Sequence, residues 1–191
     1  SKNQSIDDKL SSLFEYSKYV GEGVHGITKV FQNRILIKYF NDPETRHREY
    51  FMHHLAWSRM SPTCRQYLCE PMILKSDHYT MQRYARGYET LDKAFPNPWL
   101  MQHLSRALKC LSLAGIYHGD IKEDNILVGP DQSVKIIDFG LASLGVRNSN
   151  RNFRNARRSL SHEYRNNMRR TTKHPKNWSP INLPDENSDE N

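Results

Sequence analysis

The chain has 191 residues, of which 37% are hydrophobic and 26% charged, and a net charge of +7. That length buries one core, or two small lobes that share a cleft. No apolar run reaches membrane-spanning length, and the opening SKNQSIDDKLSS lacks the apolar centre of a secretory leader. In chain order, 1–12 is expected to be an N-terminal extension. Residues 13–20 (LFEYSKYV) alternate loosely and carry aromatic and β-branched side chains, which predicts a strand. A glycine cluster follows, and then TKVF and ILIKYF flank Gln32-Asn33-Arg34 as a hairpin. Asn41-Asp42-Pro43-Glu44 is a helix start, with a capping residue, a proline at the first position and an early acid. The helix is expected to run to about Met60 with Glu49, Met52 and Ala56 on one face. CEPMIL and HYTMQRY predict two short strands. Leu100, Leu104, Ala107, Leu108 and Leu111 form one apolar stripe on a long helix from Trp99 to Ala114. The short runs IYHGD, NILV and VKIIDFG follow, separated by polar turns such as Gly129-Pro130-Asp131. Strands come first and helix later, an α+β pattern with a β-rich N-lobe over 13–84 and a small helical C-lobe over 85–172.

Charge and cysteine are unevenly placed. From Arg147 to Lys176 ten Lys/Arg face one acid, Glu163, whereas the closing PDENSDEN holds four acids and no base. Within the basic stretch Phe153, Ala156, Leu160, Tyr164 and Met168 recur every three to four residues, a narrow apolar stripe on a basic helix. Such a segment either packs on the C-lobe or docks an acidic partner, whether protein, nucleic acid or anionic lipid. Residues 173–191 are poor in apolar side chains and expected to be disordered. Cys64, Cys69 and Cys110 are an odd, scattered set with no CxxC pair. The expectation is therefore no disulfide framework, no zinc site, and a reducing intracellular compartment, cytoplasm or nucleus, a host cell's included.

Four strings carry chemistry in a fixed order. Gly21, Gly23 and Gly26 form GxGxxG between two strands, so these glycines are expected to make a hairpin lid over phosphates. The same string before a helix would instead mark a dinucleotide fold. Lys38 ends the strand ILIK one connection before Glu49, and a strand lysine paired to a helix glutamate holds a flexible cation against α/β-phosphate oxygens. Glu44 lies in the first helical turn, where the helix dipole alone accounts for an acid. The string HGDIKEDNILV crowds Asp120, Lys122 and Asn125 into one loop between apolar runs. Its chemistry makes sense if Asp120 accepts the proton of an attacking hydroxyl, Lys122 steadies the γ-phosphate and Asn125 holds a metal ion. Thirteen residues after Asn125, Asp138 closes a buried strand before Phe139-Gly140, where a carboxylate ligates Mg²⁺ or Mn²⁺.

On these motifs, residues 14–144 resemble the eukaryotic-type protein kinase family. The resemblance implies a two-lobed fold with ATP in the cleft, a Lys38–Glu49 ion pair, the base Asp120, and metal ligands Asn125 and Asp138. It also implies that Gln82, Arg83 and Tyr84 line the hinge that reads adenine and that Leu127 forms the floor beneath it. Lys122, two residues after the base, is similar to the Ser/Thr branch, with a protein as substrate. The sequence departs from the family in four ways. Gly119 stands where an arginine is common, which implies that phosphorylation of the following segment is not the switch. Leu36 replaces a small alanine and Thr28 a valine above the adenine. Only 51 residues follow Gly140, without a convincing APE or DxWxxG, as in minimal kinases of viruses and bacterial effectors or in a truncated chain. A pseudokinase-like binding module and a small-molecule phosphotransferase, which also uses HGD, remain the alternatives.

Overall fold

A computed structural model describes residues 5–94 and 97–145. The segments expected to be a basic amphipathic helix and a disordered tail lie outside the described residues. The chain opens with helix α1 (Ile6–Glu15), started by Ser5 and Asp8 in a reciprocal capping box. Ten residues are too few for a stable free helix. This one is held by Leu10, Leu13 and Phe14, which pack on Ile37 and Tyr79 of the sheet beneath. Asp7 ties the same helix to the Ser76 hydroxyl and to the Asp77 N–H. The strand expected over 13–20 is thus corrected, because Leu13–Glu15 complete the helix and β1 begins at Lys18. The loose alternation of LFEYSKYV hid a stripe at 10, 13 and 14 that is read only with the residues before it.

Strands β1 (Lys18–Gly23), β2 (Gly26–Phe31), β3 (Ile35–Phe40) and β4 (Tyr79–Arg83) form an antiparallel sheet in that order. The β2–β3 hairpin turns on Gln32 and Asn33, both at positive φ, and closes with the Arg34 N–H on the Phe31 carbonyl at 3.0 Å. Register divides the faces. Ile35, Ile37 and Tyr39 lie opposite Phe31, Lys29 and Ile27 and are covered by α1, while Leu36 and Lys38 lie opposite Val30 and Thr28 on the other face. Helix α2 (Pro43–Arg59) starts where expected, with the Asp42 carboxylate accepting the Thr45 N–H at 2.8 Å. CEPMIL is not a strand. It makes one isolated bridge, Pro71 to Gln82, closed by the Met72 N–H on the Met81 carbonyl and the Arg83 N–H on the Glu70 carbonyl, both at 2.9 Å.

The second lobe is built on α3 (Pro98–Leu113), whose predicted stripe Leu100, Leu104, Ala107, Leu108 and Leu111 is wholly buried. Around it lie a three-stranded sheet, β5 (Glu89–Thr90), β7 (Ile126–Val128) and β8 (Val134–Ile136), and the pair β6 (Ile116–Tyr117) with β9 (Ser143–Leu144). Met52, Ala56 and Met60 of α2 enter the same core, so α2 belongs energetically to both lobes. The expectation that these cysteines form no disulfide is also corrected. Cys64, in a short 3₁₀ turn after α2, is disulfide-bonded to Cys110 of α3, and the free Cys69 is buried. The two partners are 46 residues apart, so local spacing carried no trace of a pairing made by tertiary contact.

Candidate active site

The cleft is lined from above by one face of the four-stranded sheet. Gly21, Gly23 and Gly26 lie on the β1–β2 hairpin, as the strand–turn–strand context predicts. Their reasons differ. A side chain on Gly26 would strike the Tyr39 carbonyl, its Cβ only 1.7 Å from the oxygen, so this glycine lets β2 and β3 approach. Gly21 and Gly23 face open space, where a missing side chain leaves room for something outside the chain. Next to them on the cleft face are Thr28, Leu36 and Lys38.

Lys38 Nζ donates to Glu49 Oε2 at 2.7 Å, and neither side chain is more than 16% exposed. Burial raises the Glu49 carboxyl above the ordinary range; Lys38 opposes the shift and nearby Asp138 adds to it. Lys38 thus satisfies a carboxylate that would otherwise be costly to bury, and in return is fixed in the cleft. At the sheet edge, the Arg83 N–H donates to Glu70 and the Tyr84 N–H to Arg34. Successive residues of β4 point their backbone groups to opposite sides, so Tyr84 is turned toward β3 and Arg83 away from it. Leu127, between the buried Ile126 and Val128, is half-buried and directed away from the core.

Below the cleft, the HGDIKEDN loop is organised by its own polar groups. His118 is fully buried; its Nε2–H donates to the Ile137 carbonyl at 2.9 Å, which leaves Nδ1 to accept the Asp120 N–H at 3.3 Å. Burial lowers the pKa of this imidazole, against the opposing pull of the Ile137 hydrogen bond and of Asp138 and Asp120. The Asn125 amide nitrogen donates to the Asp120 carbonyl and to Asp120 Oδ2, both at 2.9 Å. Lys122 Nζ stands 3.0 Å from the same Oδ2, a hydrogen bond that raises the lysine's pKa. With its nitrogen committed to Asp120, Asn125 offers only its amide oxygen outward. Asp138, at φ 64°, accepts the Gly140 N–H on Oδ1 at 3.2 Å, and its carboxylate borders Glu49. One carboxylate and one amide oxygen are hard donors suited to Mg²⁺, which takes its remaining ligands from phosphates and water.

Sequence reasoning passed over His53. It lies one turn beyond Glu49 on α2, donates through Nε2 to the Cys69 carbonyl at 2.7 Å, and stacks on the buried Phe139 ring at 5.4 Å and 3°. His118 meets the same ring edge-on at 5.0 Å. Phe139 is therefore held between α2 and the HGDIKEDN loop, immediately after Asp138. The available signal was the i, i+4 spacing from Glu49, which places His53 on the same helix face.

Comparison with known proteins agrees with this arrangement. The sequence pattern of the family described as protein kinase domain matches residues 71–173. The chain belongs to the protein kinase domain family. This kinase chain is 29% identical over 139 residues to CBL-interacting protein kinase 1 of Oryza sativa subsp. japonica, covering 68% of the chain and 29% of that protein. It is 35% identical over 77 residues to serine/threonine-protein kinase grp of Drosophila melanogaster, covering 36% of the chain and 15% of the relative. With CBL-interacting serine/threonine-protein kinase 20 of Arabidopsis thaliana it shares 32% identity over 85 residues, 41% of the chain and 19% of that kinase. These matches span under a third of the relatives' own length.

Proposed function

We propose that this kinase domain transfers the γ-phosphoryl group of ATP to serine or threonine hydroxyls of a protein, with Mg²⁺ or Mn²⁺ as the metal. The observation that carries the reading is the pairing of a buried Lys38–Glu49 bridge above the cleft with Asp120, fixed by Asn125 and Lys122, below it. Gly21 and Gly23 admit the triphosphate beneath the lid, and Lys38 holds its α/β oxygens. Asp138 and the Asn125 amide oxygen would hold the metal ion, which would supply neutralisation of the charge that develops on the transferring phosphate. Asp120 orients the acceptor hydroxyl and takes its proton on the carboxylate. Lys122, nearly half-exposed, turns from Asp120 toward the transferring phosphoryl oxygens. The Ser/Thr preference rests on Lys122 two positions after Asp120 and on the serine/threonine-protein kinases among the relatives. Arg83, Tyr84, Gln82 and Leu127 are assigned to the adenine end, with Leu36 and Thr28 narrowing its ceiling.

The test is transfer of label from ATP to casein, histone and the chain itself, with metal present or chelated. Asp138→Ala is expected to abolish metal-dependent transfer, and Asp120→Ala to reduce turnover by about two to four orders of magnitude, as for loss of a positioned base. Undiminished transfer by either purified variant overturns the assignment.

A further inference from the structure

We infer that the Cys64–Cys110 disulfide is a redox clamp on the catalytic site: reduction by a dithiol loosens the α2 side of the cleft and lowers phosphoryl transfer. The activity half of this inference rests on the function proposed above; the structural half does not.

The clamp acts on a short segment into which three elements converge. Cys64 opens the 3₁₀ turn Cys64–Tyr67 that follows α2, and its disulfide fastens that turn to α3 at the buried Cys110. Farther along the same segment, the Cys69 carbonyl accepts the His53 Nε2–H at 2.7 Å. His53 lies one turn from Glu49, and its ring lies flat on Phe139, the residue after Asp138. A covalent bond, five residues of chain, one hydrogen bond and one ring stack thus connect Cys110 to the proposed metal ligand. Each link is short, and the segment it crosses is buried over Tyr67, Leu68 and Cys69. Displacing Cys64 therefore moves the acceptor that sets His53.

Other contacts decide the scale of the effect. Lys135 Nζ spans the Gln66 and Leu68 carbonyls at 2.9 and 3.0 Å, and Arg65 Nε donates to the Trp57 carbonyl at 2.9 Å. These keep the segment attached when the disulfide opens, so reduction is a local loosening and not an unfolding. The device has two states, segment 64–69 clamped or held by hydrogen bonds alone, and both bias the position of α2.

The chemistry balances with a dithiol as reductant. Its thiolate attacks Cys64 Sγ, the less buried partner, and Cys110 leaves as a thiolate that takes up a proton. The second thiol of the reagent then closes on the mixed disulfide and releases Cys64 as a thiol. Two electrons and two protons reach the protein, and the reagent departs as its own disulfide. The third cysteine stays out of the exchange, because burial pushes the Cys69 thiol up to about 11 and leaves it protonated at neutral pH.

The experiment compares the 191-residue chain before and after dithiothreitol, and again after reoxidation. Free thiols are counted in denaturant, amide exchange is followed over α2, and transfer is measured in parallel. The expected result is one thiol rising to three, faster exchange across α2, and transfer lowered about fivefold or more, the lower end of ordinary coupling between sites. Reoxidation restores both, and Cys64→Ser behaves as the reduced chain and ignores the reductant. Three thiols before reduction overturn the inference, as does a verified disulfide whose opening changes neither exchange nor transfer. A Cys64→Ser chain that still responds to dithiothreitol overturns it too. If no redox state transfers phosphate, the functional reading fails by itself, and exchange across α2 still decides the clamp.

Discussion

Gly119 shows how one residue sets a backbone path. At φ 85° it occupies the left-handed region, and a Cβ there would lie 2.4 Å from the Leu141 carbonyl oxygen. The segment after Gly140 therefore lies directly against the HGDIKEDN loop, and the β6–β9 pairing of Ile116 with Leu144 and Tyr117 with Ser143 continues that contact. The arginine common at this position in the family could not be accommodated without moving Leu141. Left-handed strain costs a non-glycine residue about 1–2 kcal/mol, and overlap in a packed region adds about 1–3 kcal/mol. Gly119→Ala is expected to lower unfolding free energy by about 2–5 kcal/mol, measured by urea denaturation with unchanged m-value. Equal stability of the alanine variant would show that Leu141 yields freely and that the glycine has no steric role.

Among the elements, α2 joins the lobes, because its apolar residues enter the lower core while Glu49 meets Lys38 of the sheet and His53 meets Phe139. Its histidine makes that junction pH-sensitive. Burial lowers the His53 pKa to about 4 from 6.5, outweighing the hydrogen bond to Cys69 that opposes the shift. Between those values the unfolded chain binds more protons than the folded one, so stability rises with pH through the window and is lost as pH falls toward 4. At about 1.4 kcal/mol per pH unit, the contribution at neutral pH is at most about 3 kcal/mol. His53→Gln is expected to flatten the stability profile between pH 6.5 and 4 relative to wild type, read from chemical denaturation at several pH values. Parallel profiles would place the acid sensitivity elsewhere, His118 first, since burial also lowers its pKa. The start of α2 was legible because Asp42-Pro43 is a local signal. So was α3, whose stripe Leu100 to Leu111 repeats at helical spacing. Helix α1 was not, because its partners Ile37 and Tyr79 are 27 and 69 residues beyond Leu10. Nor was the loss of the CEPMIL strand, which depends on how Pro71 meets β4.

At the scale of the whole molecule, the site is divided between lobes. The glycine hairpin, Lys38 and Glu49 come from the sheet and α2, whereas Asp120, Asn125 and Asp138 come from loops around β6, β7 and β8. Motif order made this set legible, since Lys38, Asp120 and Asp138 each end or follow a short apolar run. The supports were less visible: His53 carries no motif, and the Cys64–Cys110 link has no local spacing to reveal it. A ligand that bridges the two halves couples their unfolding. Mg²⁺·ATP at about 100 times its dissociation constant is expected to add about 2.7 kcal/mol to stability. For a chain of this size that corresponds to a rise in Tm of roughly 5–10 °C. ATP with a chelator should give a smaller rise, because Lys38 and the glycine hairpin still engage phosphate while Asn125 and Asp138 lose their ion. Asp138→Ala should therefore show the chelator-sized shift with or without Mg²⁺, and Lys38→Met should reduce the shift in both conditions. Thermal melts of the three chains, each with ATP plus metal and ATP plus chelator, separate the contributions. If Asp138→Ala keeps the full metal-dependent rise, the ion is held by other residues and the division of the site between lobes is wrong.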